Sequence, residues 1–128
     1  MNNQSQKILV IDDEVEIAHI LKRWLSDRYE VEAVSNAAQA LQFLNSPDID
    51  LIVCDISMPK MSGYDLVKHL RQRELNTPVI LISGQSGLEM QFKGLALGVA
   101  ACVEKPIRKR ELMDAIAFAL GQSRTMAA

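Results

Sequence analysis

Three observations predict a layered α/β fold on a parallel sheet. Short apolar runs rich in β-branched residues alternate with stretches of helical spacing, five of each. The connections between them are short, and most of the runs end in charged or hydroxyl residues. Most of the runs are also continuously apolar, not alternating, which marks strands covered on both faces by helices.

The first run is Lys7-Ile8-Leu9-Val10-Ile11, stopping at Asp12-Asp13-Glu14. Helical spacing follows, with Ile17, Leu21, Trp24 and Leu25 on one stripe and Glu16, Lys22, Arg23 and Asp27 off it. Tyr29 to Val34 alternates more and reads as an edge strand. Ser35 or Asn36 can cap a helix through Ala37, Ala40, Leu41 and Leu44 that ends near Asn45-Ser46-Pro47. Leu51-Ile52-Val53-Cys54 is a third strand, ending in Asp55, and a helix carrying Leu66, Val67 and Leu70 follows Pro59 and Gly63. Pro78 to Ile82 is the fourth strand, ending at Ser83-Gly84, and Leu88 to Leu97 the fourth helix, with Gly98 as its cap. Ala100 to Val103 makes a weaker fifth strand, ending at Glu104-Lys105-Pro106. The last helix carries Leu112, Ile116 and Ala119.

With 128 residues the chain has the size of one domain, and 48% hydrophobic with 23% charged residues is ordinary globular composition. The charge is balanced, 14 basic against 16 acidic residues, and aromatics are 5%, so direct nucleic-acid binding is not expected. Cys54 and Cys102 are far apart and fit neither a zinc site nor a disulfide framework. No apolar run reaches membrane-spanning length and the polar start is no signal peptide, so the expectation is a cytoplasmic domain with no membrane contact.

Ligands of such sheets bind outside the carboxyl ends of the strands. Those ends supply Asp12 and Asp13, Asp55, Ser83 and Lys105; only the second strand ends without a reactive group. Three carboxylates on one rim repel, so at least one pKa should rise unless a cation joins them. Lys105 supplies one positive charge, and a hard divalent cation such as Mg²⁺ would supply the remainder. Asp13 and Asp55 can hold it, with Asp12 acting directly or through water. Ser83 and Lys105 suit the remaining oxygens of a phosphoryl group, and Asp55, central on the rim, suits the nucleophile. The chemistry so read is phosphoryl transfer to Asp55.

The chain resembles the receiver domains of two-component response regulators, the CheY-like family. The likeness rests on Ile11-Asp12-Asp13-Glu14, the stretch Asp55-Ile56-Ser57-Met58-Pro59-Lys60-Met61-Ser62-Gly63, Ile82-Ser83-Gly84 and Lys105-Pro106. It implies a flavodoxin-like three-layer sandwich of strand order 2-1-3-4-5. It also implies that Asp55 takes a phosphoryl group from a histidine kinase or histidine phosphotransfer protein. Asp12 and Asp13, with Asp55 and the Ser57 backbone carbonyl, would bind Mg²⁺ or Mn²⁺. Ser83 would be the switch hydroxyl, Lys105 the phosphoryl partner, and the Lys105-Pro106 bond cis. Gly84 would leave the site open, and Ser57 and Gln85 would tune dephosphorylation. One departure stands out: three residues before the lysine, where many receivers carry Tyr or Phe, this chain has Cys102. The resemblance divides the chain into a disordered lead at 1–6, a receiver at 7–121 and a tail at 122–128. Output would pass to a downstream protein or output domain through the face of the fourth helix, fifth strand and fifth helix, or through a phosphorylation-dependent homodimer.

Plainer readings compete residue by residue. Asp12-Asp13-Glu14 alone would be helix-start acids, Ser83-Gly84 a turn and Lys105-Pro106 a helix entry. Cys54 and Cys102 read as small core residues, His19 and His69 as solvated or packing histidines, Trp24 as core edge, and Arg108-Lys109-Arg110 as a solvated helix start. For Met90, Phe92, Met113 and Phe118 core packing is the favoured expectation and a partner face the alternative. An aspartate-nucleophile phosphohydrolase would need a second acid where Ser57 stands and a cap domain. A flavodoxin would need a phosphate loop where Asp12 and Asp13 stand. A degenerate receiver used only for binding would lack the acceptor, acids, hydroxyl and lysine that are all present. The domain is thus expected to be a signalling phosphoacceptor, not a metabolic enzyme.

Overall fold

The computed structural model describes residues 6–44, 48–84 and 88–127. The strands are β1 (Lys7–Ile11), β2 (Glu30–Val34), β3 (Leu51–Asp55), β4 (Val79–Ser83) and β5 (Ala101–Glu104). The helices are α1 (Val15–Leu25), α2 (Ala37–Phe43), α3 (Gly63–Gln72), α4 (Leu88–Leu97) and α5 (Lys109–Ala127). All strand pairs are parallel, in the order β2-β1-β3-β4-β5. The expected flavodoxin-like topology is thereby found.

Two apolar layers explain why the central strands read as continuous runs. On one face Ile8, Val10, Val53, Ile80 and Ile82 pack under Leu21 and Leu25 of α1 and Leu112 and Ile116 of α5. On the other, Leu9, Ile52, Cys54 and Leu81 pack under α2, α3 and Met90 of α4. Every residue of β3 and β4 is buried, whereas β2, at the edge, exposes Glu30 and half-buries Glu32 and Ala33.

Local chemistry sets the helix ends. Asn36, not Ser35, caps α2 by accepting from the Gln39 N–H at 2.8 Å. Ser62 and Asp65 form a reciprocal capping box at the start of α3, a signal legible as S-x-x-D. Gly98, at φ +73, closes α4 with bonds from its own N–H to Leu95 O and from Val99 N–H to Gly94 O, as a Schellman motif requires. Glu74 does the same for α3 at φ 61 without the freedom of glycine. Between these two ends lies Arg71, whose guanidinium donates to Leu75 O and Thr77 O after α3 and to Leu97 O and Gly98 O at the end of α4.

Some boundaries differ from the sequence expectation. β4 begins at Val79, after the proline that lacks an N–H for the ladder. The last helix runs to Ala127, through residues read as a tail; no proline stops it there and helix-tolerant residues dominate. The expectations for the lead at 1–5 and for the end of α2 at 45–47 fall outside the described residues. Core packing holds for Met90, and Met113 is half-buried. It fails for Phe92 and Phe118, each 63% exposed, and Leu95, which drew no attention in the sequence, is 73% exposed. Those side chains stand on the outer faces of α4 and α5, where helical spacing alone does not say which of several apolar stripes turns inward.

α3 starts directly on β3. A Cβ on Gly63 would lie 2.8 Å from Asp55 O and 3.0 Å from Ile56 Cα, both backbone atoms that cannot yield. Gly63→Ala should therefore destabilise by about 1–3 kcal/mol. Gly84→Ala, whose Cβ would meet only Lys105 Cδ at 3.9 Å, is the control. Urea denaturation of the two variants checks this, and an unaltered midpoint for Gly63→Ala would contradict the contact.

Candidate functional site: an acidic rim with one lysine

The carboxyl ends of β1, β3, β4 and β5 bring the sequence-predicted residues together. Asp12 follows β1, Asp55 ends β3 at the centre of the sheet, Ser83 ends β4, and Lys105 follows β5. Asp12, Asp55 and Ser83 are buried, Lys105 is half-buried, and Asp13 is exposed. Oxygens of Asp12, Asp13 and Asp55 all lie within 4.8 Å of one another.

Backbone bonds fix the rim. Asp12 N–H donates to Val34 O at 3.1 Å, Ile56 N–H to Ile82 O at 2.8 Å, and Lys105 N–H to Ser83 O at 2.8 Å. The Asp55 carboxylate accepts from the Ser57 N–H through Oδ1 and from the Lys105 ammonium through Oδ2, each at 3.3 Å. Asp12 Oδ1 accepts from the Glu14 N–H at 2.9 Å, so the helix-start reading of this acid is also correct in part. Its other oxygen, Oδ2, is buried with no hydrogen-bond partner.

Burial pushes the Asp12 carboxyl from 3.8 up to about 6. The Glu14 N–H and Lys105 oppose this, while the Asp55 and Asp13 charges add to it. A rise is thus found at Asp12, with burial its first cause and the neighbouring acids a smaller one. Burial works against the Lys105 ammonium too, but attraction and a hydrogen bond from Asp55, with Asp12 and Glu14 behind, outweigh it and hold its pKa above the ordinary lysine value. Burial raises the Cys54 thiol far above its usual range, which leaves it an inert core residue.

The other predicted residues are spread around this centre. Ser57 and Gly84 are exposed beside it, and the Lys105–Pro106 peptide is cis. Gln85 falls outside the described residues. Cys102 is half-buried on β5 against α4, away from the carboxylates. His19 is exposed and Trp24 half-buried. The sequence reading noted Gly63 only as a helix start and motif end; its close approach to β3 is a distance no residue pattern displays.

Comparison with known proteins decides the family. The response regulator receiver domain family matches residues 8–117. This chain belongs to that family. A probable transcriptional regulator, ycf27 of Porphyra purpurea, is 37% identical over 113 residues, covering 88% of this chain and 46% of that protein. The chain spans about half the length of the curated relatives it matches. Among solved structures, a response regulator receiver domain from Clostridium thermocellum matches with TM-score 0.86 and 30% identity over 94% of this chain and 98% of that one. Chemotaxis protein CheY4 of Vibrio cholerae matches with TM-score 0.85 and 28% identity over 91% and 100%. The chain is a receiver domain of the two-component type, a signalling module, and no helix among the described residues is long and apolar enough to cross a membrane.

The Asp12 shift has a sign that can be measured without metal. Between the usual carboxylate value of 3.8 and about 6, the folded receiver holds a proton that the unfolded chain has released. Stability therefore falls as pH rises through that window, and the penalty is constant above it. In chelator at pH 7, Asp12→Asn should stabilise by up to about 3 kcal/mol, keeping the bond to Glu14 while removing the charge. The gain should vanish near pH 4. Denaturation curves at the two pH values check this, and a loss of stability at pH 7 would show that Asp12 is not under electrostatic strain.

Proposed function

We propose that this receiver, at residues 7–121, is a cytoplasmic phosphoacceptor that takes a phosphoryl group on Asp55. The donor would be a histidine kinase or histidine phosphotransfer protein, and the modified surface would then signal to a downstream partner. The observation that carries the reading is the rim itself: one buried acceptor carboxylate held by one lysine beside two further acids, one with an orphaned oxygen.

That orphaned oxygen favours a bound cation. A buried carboxylate oxygen without a donor is costly in the metal-free protein, and a hard divalent ion satisfies it. Asp12, Asp13 and Asp55 would hold Mg²⁺ or Mn²⁺, with the exposed Ser57 supplying its backbone carbonyl. When bound, the ion neutralises charge on the transferring phosphoryl oxygens.

The protein's own groups account for the remainder of the reaction. An Asp55 carboxylate oxygen attacks phosphorus in line with the donor imidazole nitrogen; the P–O bond forms as the P–N bond breaks, and the histidine leaves as neutral imidazole after taking a proton. Lys105, now on Asp55 Oδ2, follows the added oxygens, and the Ser83 hydroxyl supplies a further donor. Ser57, Gly84 and Gln85 would control water at the aspartyl phosphate and hence its lifetime. The exposed Phe92, Leu95 and Phe118 support an output or homodimer face on α4, β5 and α5.

Incubation with acetyl phosphate and Mg²⁺ should add one phosphoryl mass to the intact protein. Asp55→Asn should abolish the adduct, and EDTA should reduce it by at least about tenfold, on the scale of a lost charge clamp. An undiminished adduct on Asp55→Asn would remove the acceptor assignment; indifference to EDTA would remove the metal.

A further inference from the structure

A second concave surface lies between α1 and α5, and the rim chemistry does not use it. Leu21 and Leu25 of α1 and Leu112 and Ile116 of α5 are buried in one apolar layer, so the two helices cover the same face of the sheet. Between their outer sides is a cleft of about 600 Å³, within the range of about 300–1,000 Å³ that small-molecule sites occupy. Its apolar part is Trp24 and Met113, both half-buried and packed on the core beneath. Arg28, Lys109 and Arg110 line it as exposed cations, with Asp27 and Asp114 beside them. None of these residues belongs to the rim.

Three properties of the lining select a ligand. The polar groups are unspent: among the described residues, none of these five charged side chains makes a hydrogen bond or ion pair, and the Trp24 indole N–H has no acceptor. Opposite charges that share a cleft without pairing keep their hydrogen-bonding capacity for a third group. The indole, anchored on the core, is already ordered, so a flat ring can stack on it at little entropic cost. The charge count is the third property. Three cations against two carboxylates suit a single phosphate, which the two guanidinium forks can grip. The same carboxylates repel a continuous polyanion, yet they accept readily from hydroxyl and amino groups.

We propose that the cleft between α1 and α5 is a binding site for a nucleoside monophosphate. Trp24 takes the base, Arg28, Lys109 and Arg110 take the phosphate, and Asp27 and Asp114 accept from sugar hydroxyls or the base amino group. Binding involves no covalent step and no rim residue, so the site stands whether or not Asp55 is the phosphoacceptor. It gives a use to Lys109 and Arg110, which the sequence alone marks as part of a solvated helix start, and to the exposed side of Trp24.

Trp24 is the sole tryptophan of the chain, so its fluorescence reads the site directly. Guanosine and adenosine monophosphates should quench it saturably, with a dissociation constant below about 1 mM, and calorimetry should return the same constant. Guanosine alone and inorganic phosphate alone should each bind at least about tenfold more weakly, because each forgoes one half of the site. Arg28→Ala and Arg110→Ala, both at exposed positions that the fold does not need, should weaken binding about five- to twentyfold, the scale of one charge-assisted hydrogen bond. Trp24→Leu, which keeps an apolar contact with the core, should weaken calorimetric binding by a similar factor, and Asp55→Asn should bind as wild type does. Absence of both quenching and binding heat would overturn the site. Wild-type affinity in the two arginine variants would place the ligand elsewhere and overturn it equally. Inorganic phosphate binding as tightly as the nucleotides would leave only an anion site, and a single-stranded RNA binding more tightly would make the ligand a strand; either result overturns the monophosphate.

Discussion

Electrostatic crowding at the end of the sheet is the constraint on which the rest of this receiver depends. Parallel strands necessarily deliver the residues that follow them to one rim, and here the deliveries are three carboxylates and one ammonium. Such a cluster is unfavourable in isolation, and the upward shift of Asp12, caused first by its burial and then by the neighbouring carboxylates, reflects part of that cost. It persists because two fully buried strands and two helical layers fix the backbone beneath it. Folding energy from the apolar layers thus holds charges where a cation and a phosphoryl group would be most strongly bound.

Much of this was legible beforehand, for identifiable reasons. β3 and β4 announced themselves because strands covered on both sides have no polar alternation to dilute them. Asp12, Asp55, Ser83 and Lys105 stood out because topology guarantees that strand ends converge, whatever the loops do. Which acid would carry the strain was not legible. That depends on burial and on the single Glu14 N–H that Asp12 Oδ1 finds, leaving Oδ2 with none.

α4 was the least readable element. It carries apolar residues on several sides, so spacing does not choose the buried stripe; Met90 turns inward while Phe92 and Leu95 turn out. Its seat is set by Gly94, and a glycine that admits a neighbour looks the same in sequence as one that merely permits a turn. Cys102 was legible as a departure from the family pattern, but its contact with α4 was not. A thiol has few geometric preferences of its own, and what it touches is decided by the helix laid over it.

Arg71 adds a mechanical property at the opposite end of the same helix. One rigid, planar cation donates to carbonyls on both sides of the gap between α3 and α4, at the C-terminal ends where each helix presents its partial negative charge. Two helices that share a single counter-charge are not independent levers. Displacing the end of α4 would strip acceptors from a half-buried guanidinium that also holds the loop after α3, so the two ends are tied to one another. Loss of this one side chain would therefore leave carbonyls at both helix ends without their donor, a cost shared by two elements that are far apart in sequence.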